Sequence, residues 1–467
     1  MCATLFRLFF PLLVIGSAVL ITGCAQNAPY HTRPGEPGNC RQSPTADECV
    51  QAYYQEYDGF DLAFAEYSDR GNAFSDRYIG DVLERIQQRA DNGGVVLVTF
   101  IHGWKHNAEE SDPNLIDFKD ALRAVQGILE ADFGGTALGQ RRLVGLYVGW
   151  RGASLDVPIL NNSTFWDRKA VAEEVGKGGV TRLLLEVDQI TRDDDKNVMV
   201  VIGHSFGGAI VVSALNDVLT ERTVQRTRRR GYARTIGDGV LVLNPAIEAN
   251  QSLSFVEAAI QADYRPEQYP LFVSLSTDAD LATHYAFPGG QTLGLLLTWQ
   301  QEDLKRSYYY DRLEPEKEKA LREEHLDTTT VGNFAPFLTH RLTARSEGDE
   351  TVFEVKTCDA DPQGCVPRGL TTLGGQPAIR NLPKHYPLYF YKTDATVMEG
   401  HNDIFNQRVR AFVVTIIDDV VRRALVGVDA KAVERPRVAP PTLLEDSKAF
   451  EQRMEQILRG MPKESGG

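Results

Sequence analysis

Residues 198 to 213 read Val-Met-Val-Val-Ile-Gly-His-Ser-Phe-Gly-Gly-Ala-Ile-Val-Val-Ser, an apolar β-branched run, a serine flanked at two-residue spacing by glycines, then a helix-compatible run. A strand that turns at once into a helix forces its tip residue into a positive-φ backbone. The chain also crosses itself so closely there that the positions two before and two after the tip must be small. Gly203 and Gly207 occupy those positions, which makes Ser205 the tip. The helix that follows aims unpaired N–H groups and the positive end of its dipole at the space above the serine, where a developing negative charge would be stabilised.

Hydrophobic periodicity places this elbow in a larger pattern. Val95 to Ile101 is a continuous apolar run bounded by Gly93, Gly94 and Gly103, as in a strand buried on both faces. Arg142 to Trp150, Val198 to Gly203, Gly239 to Leu243 and Leu271 to Ser276 are further strand candidates, and Tyr78 to Arg89, Leu115 to Leu129, Lys169 to Ile190 and Ala209 to Leu219 have helical spacing. Such alternation predicts an α/β fold, a mainly parallel sheet with helices on both faces. The rhythm breaks from about 288 to 385, a stretch holding Tyr308, Tyr309 and Tyr310, the charged helix-like run Glu314 to Glu324 and a cysteine pair, which reads as a cap-like insertion over the sheet's C-terminal edge. Leu388 to Val397 then resumes a strand and Ile404 to Ala424 a closing helix. The organisation expected is 1–23 signal peptide, 24–74 tether and N-terminal segment, 75–425 folded domain with its insertion, and 426–467 an extended tail with one short helix over Phe450 to Leu458.

A chain of 467 residues can bury a large core. Its net charge of −14 argues against a nucleic-acid partner, and the one basic cluster, Arg226, Arg228, Arg229 and Arg230, reads as a solvated helix end. Near the N-terminus, Arg7 precedes an apolar run from Leu8 to Ile21 and then Ile21-Thr22-Gly23-Cys24, which resembles a bacterial lipoprotein signal; an uncleaved N-terminal helix is the alternative. The resemblance implies cleavage before Cys24, lipidation of that cysteine and anchoring in the cell envelope. Alanine rather than aspartate at position 25 points to the outer membrane, facing the periplasm. Cys2 would leave with the signal, so the close pairs Cys40 with Cys49 and Cys358 with Cys365 read as two local disulfides. Aspartates between Cys358 and Cys365 make a metal loop conceivable, but the spacing fits no common zinc pattern.

A serine hydroxyl is a poor nucleophile at neutral pH and requires a histidine to take its proton and a carboxylate to orient that histidine. Both partners should follow strands at the same sheet edge. Asp280, in Leu-Ser-Thr-Asp-Ala-Asp-Leu-Ala-Thr after the strand near Leu271, is the candidate acid, with Asp278 as its rival. His401, in Met-Glu-Gly-His-Asn-Asp-Ile-Phe before the last helix, is the candidate base. The chain order is then nucleophile, acid, base.

In the elbow, in Ile101-His102-Gly103-Trp104 and in Gly400-His401-Asn402-Asp403, residues 75 to 425 resemble the α/β-hydrolases, and among them exported bacterial serine esterases and lipase-like members. The resemblance implies that the backbone N–H groups of Trp104 and Phe206 form an oxyanion hole. It also implies cleavage of a small-molecule or lipid acyl ester through an acyl-enzyme, with no metal or organic cofactor. A triple-glycine oxyanion turn is absent, which departs from the bulky-alcohol esterases. Thioester, amide or lipid cleavage and acyl transfer use the same machinery, and a non-catalytic envelope binding protein could keep the same scaffold. Among other histidines, His102 reads as loop-shaping rather than as a metal ligand paired with His106, and His204 as a packing residue. His284, His340 and His385 lack the strand-before, helix-after setting of His401. The tyrosine triplet would line an acyl pocket or pack the cap, and Asp193 to Asp195 reads as a solvated turn.

Overall fold

The computed structural model describes residues 27–461 except 136–140, 153–164, 193, 195, 229–232, 267, 290, 292–302, 307–318, 362–364, 366–377 and 432–441. Apolar runs without alternation become strands covered on both faces. β3 (Val95–Ile101) and β5 (Val198–His204) are buried at every position, and they pair in parallel with Val98 opposite Val200. Around them run β1 (Tyr54–Glu56), β2 (Phe60–Tyr67), β4 (Arg142–Trp150), β6 (Gly239–Leu243), β7 (Phe272–Thr277), β10 (His340–Glu347), β11 (Glu350–Thr357) and β12 (Leu388–Thr393), in the spatial order β1-β2-β4-β3-β5-β6-β7-β12-β10-β11. All neighbours are parallel except the edge pairs β1/β2 and β10/β11. A separate ribbon joins β8 (Asp303–Arg306) to β9 (Lys319–Arg322).

Among the described residues the α-helices of six or more residues are α1 (Asp76–Asp91), α2 (Pro113–Phe133), α3 (Phe165–Val175), α4 (Thr181–Arg192), α5 (Phe206–Arg228), α6 (Leu253–Ile260), α7 (Glu323–Thr328), α8 (Gln407–Lys431) and α9 (Ser447–Gly460). Ser75 caps α1 by accepting the Tyr78 N–H, and Asp112 caps α2 ahead of Pro113 at its first turn. Apolar residues of α1, α4, α5 and α6 fill a core on one face of the sheet, and those of α2, α8 and α9 fill another on the opposite face. This is the α/β layering expected from the alternation of elements.

Several boundaries differ from expectation. Residues 54 to 67, assigned to the tether and N-terminal segment, supply β1 and β2, because Phe60, Leu62 and Phe64 alternate toward one core and Ala63, Ala65 and Tyr67 toward the other. The insertion is partly sheet: β10 and β11 form a hairpin about Gly348 that extends the sheet beyond β12. Lys319 to Arg322, expected to be helical, is strand β9. The helix expected over Lys169 to Ile190 breaks at Gly178, whose φ of −94° and ψ of −125° no helix accommodates. The tail helix α9 is no appendage, since Phe450, Met454 and Ile457 are buried in the second core.

Cys40 is bonded to Cys49 and Cys358 to Cys365. Among the described residues no helix is long and apolar enough to cross a membrane. Cys24, the segment 1–23, Tyr308 to Tyr310, Asp193 and Asp195 lie outside the described residues, as do the side chains of Arg226 and Arg228 to Arg230.

Candidate active site

β5 runs into Ser205 and straight on into α5, and Ser205 has a φ of +55°. A Cβ on Gly207 would stand 2.0 Å from the Ile101 carbonyl oxygen, and one on Gly203 would stand 2.6 Å from the Gly207 carbonyl oxygen. Only glycine fits at either place. The strained turn is locked by backbone bonds on both sides, from Ser205 N–H to the Leu243 carbonyl (3.0 Å) and from Ala246 N–H to the Ser205 carbonyl (3.1 Å).

The three parallel strands β5, β7 and β12 deliver Ser205, Asp280 and His401 to one sheet edge. His401 Nδ1 lies 2.7 Å from Asp280 Oδ2, and His401 Nε2 lies 2.7 Å from Ser205 Oγ. A carboxylate only accepts, so the ring proton sits on Nδ1 and Nε2 presents its lone pair to the serine hydroxyl. Asp280 is fully buried; its Oδ1 accepts the Ala282 and Thr283 N–H groups (2.8 and 3.1 Å), and its Oδ2 accepts the Thr283 hydroxyl (2.6 Å). Burial pulls its pKa upward, but the His401 charge and these hydrogen bonds outweigh burial and hold it at about 2. Asp278, the rival acid, turns the other way, to Arg341 Nη2 at 2.9 Å and Lys392 Nζ at 3.3 Å.

Beside the serine, Gly103 approaches so closely that a Cβ on it would be 2.8 Å from Ser205 Cβ. This brings the Gly103 backbone against the serine, whose next residue, Phe206, is the first of α5. The Trp104 and Phe206 rings lie 6.3 Å apart, and Lys105, with a φ of +69°, places its ammonium over the Trp104 ring. His102 holds this turn as the sequence indicated. Its Nε2 accepts the Trp150 N–H (3.1 Å), which leaves the proton on Nδ1, facing the Gly103 carbonyl (3.0 Å), and the Trp150 indole N–H donates to the His102 carbonyl (2.9 Å). Burial drives the His102 pKa down to about 4. His106 instead pairs with Asp112 at 3.0 Å. Among the described residues no group of three or more His, Cys, Asp or Glu side chains is arranged to hold a metal ion.

Two residues that pin the base went unassigned by sequence. His204, read as packing, donates from Nε2 to the His401 carbonyl at 2.9 Å, and burial together with the His401 charge keeps its pKa well below the ordinary histidine value. Asn244, at a φ of +43°, donates to the same carbonyl at 3.0 Å and accepts the Thr277 N–H at 3.1 Å. Its signal was available: an Asn-Pro pair directly after a strand marks a turn at the sheet's C-terminal edge. The three histidines weighed against His401 are engaged otherwise, His284 beside Lys392 (2.9 Å), His340 stacked on Tyr391 (4.8 Å between centroids) and His385 paired with Glu445 (2.9 Å).

No family model matches this chain, and no curated protein matches it. Among solved structures, the chain is similar to phospholipase PlaB from Legionella pneumophila, determined in complex with thio-NAD, at 10% sequence identity and a TM-score of 0.29. The match covers 78% of this chain and 61% of that one.

Proposed function

We propose that this protein is a serine hydrolase that cleaves carboxylic esters of small molecules or lipids. The observation that carries the reading is the continuous hydrogen-bonded line from Ser205 Oγ through His401 to Asp280, with both links at 2.7 Å. His401 Nε2 takes the hydroxyl proton as Ser205 Oγ bonds to the ester carbonyl carbon. The carbonyl π-electrons move onto oxygen, and the Trp104 and Phe206 N–H groups receive that oxyanion. Collapse of the intermediate expels the alkoxide, which takes the proton from His401 and departs as the alcohol. Water, deprotonated by the same imidazole, then attacks the acyl-serine, releasing the carboxylic acid and restoring the hydroxyl. Asp280, ionised far below neutral pH, stabilises the imidazolium formed in each half-reaction.

The strained serine, the strand-borne acid and base and the parallel sheet support an α/β-hydrolase arrangement. Residues 1 to 24 add the proposal that the mature chain is lipidated at Cys24 and held in the cell envelope. The test is a panel of p-nitrophenyl esters of rising chain length with protein lacking residues 1 to 24. Turnover is expected in the wild type and absent from Ser205→Ala and His401→Ala. Equal turnover in Ser205→Ala would overturn the reading, and the preferred chain length separates an esterase from a lipase.

A further inference from the structure

Behind Asp280, side chains that are distant in sequence form one buried polar chain. The Thr283 hydroxyl donates to Asp280 Oδ2, the same oxygen that accepts from His401. Asn333 Nδ2 donates to Thr283 Oγ1 at 3.1 Å and to Thr330 Oγ1 at 2.9 Å. Asn333 Oδ1 accepts from Lys392 Nζ, whose other neighbours are His284 Nε2 at 2.9 Å and Asp278 Oδ1 at 3.3 Å. Lys392, on β12, is completely buried.

Every donor direction in this chain is forced. The carboxylate at one end can only accept and the ammonium at the other can only donate, so the threonine proton points to Asp280 and the asparagine carbonyl to Lys392. The ammonium donates to Asn333 and His284, and the Asp278 carboxylate beside it offsets part of the penalty for burying its charge. Burial still lowers the Lys392 pKa, to about 8, and burial together with Lys392 keeps His284 neutral, with a pKa near 4, as an acceptor must be.

The chain has a geometric consequence for the acid. Both backbone donors reach Asp280 Oδ1, so without Thr283 the other oxygen would be held by His401 alone. Asn333 belongs to the inserted segment, which is tied to the loop after β6 through Val331 N–H to the Ile247 carbonyl (2.9 Å) and Ala249 N–H to the Thr329 carbonyl (2.8 Å). We infer that Thr283, Asn333 and Lys392 are positioning residues that fix the rotation of the Asp280 carboxylate toward His401, so that the insertion sets the geometry of the acid. The inference rests on the proposed function.

The experiment compares Thr283→Val, which removes the donor, and Asn333→Asp, which keeps the Lys392 partner but cannot donate to Thr283, with Thr283→Ser. Steady-state kinetics should show kcat reduced about tenfold in the first two, KM within about twofold, and recovery in Thr283→Ser, the scale of one lost hydrogen bond to a charged group. Wild-type kcat in folded Thr283→Val and Asn333→Asp would overturn the inference. The resonance of the His401 Nδ1 proton in the full chain is an activity-independent second readout. It should broaden in both variants and sharpen again in Thr283→Ser; an unchanged resonance overturns the inference even if no ester is turned over, an outcome that would remove the proposed function separately.

Discussion

Acid should loosen the turn that carries Trp104 through His102. This ring is fully buried and neutral, with Nε2 already engaged by the Trp150 N–H, so protonation puts two donors face to face inside the core. Its pKa is lowered from 6.5 to about 4, by burial first, while the Asp112 charge and the bond to the Gly103 carbonyl oppose the shift. In the unfolded chain the ring binds a proton near pH 6.5, and in the folded protein only near pH 4. The contribution of His102 to stability is therefore complete above pH 6.5 and disappears as the pH falls through that window. Near pH 5 it weakens by about 1 kcal/mol per pH unit, and its full extent is about 3 kcal/mol. Urea unfolding of wild type and His102→Gln at pH 7, 6, 5 and 4.5 isolates the residue, since glutamine places an uncharged amide where Nε2 stood. Wild type should lose its advantage over the variant as the pH drops, with ester turnover falling in step. Parallel stability curves for the two proteins across this range would refute the reasoning.

Other perturbations have equally definite outcomes. Gly207→Ala should cost at least about 1 to 3 kcal/mol and abolish turnover, because its methyl would meet the Ile101 carbonyl; thermal unfolding and an ester assay check both. Asn244→Gly keeps the backbone freedom that the φ of +43° needs but removes a donor to the His401 carbonyl, so kcat should fall by on the order of tenfold or more while KM holds. Glu451 and Glu455 on α9 accept the Val355 and Phe353 N–H groups of edge strand β11. Replacing both with alanine should cost about 1 kcal/mol each and bare a strand edge that self-associates, visible by size-exclusion chromatography.

The elbow was legible in the sequence because its requirement is local: one strained residue, two glycines and a change of period within sixteen positions. Val95 to Ile101, Arg142 to Trp150 and Gly239 to Leu243 coincide with β3, β4 and β6, since strands buried on both faces are unbroken apolar runs. β2 and the β10/β11 hairpin were passed over although each alternates with period two. Phe60-Asp61-Leu62-Ala63-Phe64 lay beside a Pro- and Gly-rich stretch, and Leu342 and Val355 lay inside a segment whose cysteines and glycines read as irregular. Within the site, local sequence left Asp278 and Asp280 open. Their environments separate them: Arg341 and Lys392 claim the first, Thr283 and His401 the second. Asn333 and Lys392 carried no motif, because their meaning arises only where residues 50 and 109 positions beyond Thr283 converge.

The most direct measurement of the central claim is fluorophosphonate labelling of purified protein followed by peptide mapping. One adduct on the peptide containing Ser205, absent from Ser205→Ala and strongly slowed in His401→Ala, is the result expected of an activated serine. An adduct on another residue, or none on protein that turns over esters, would contradict it.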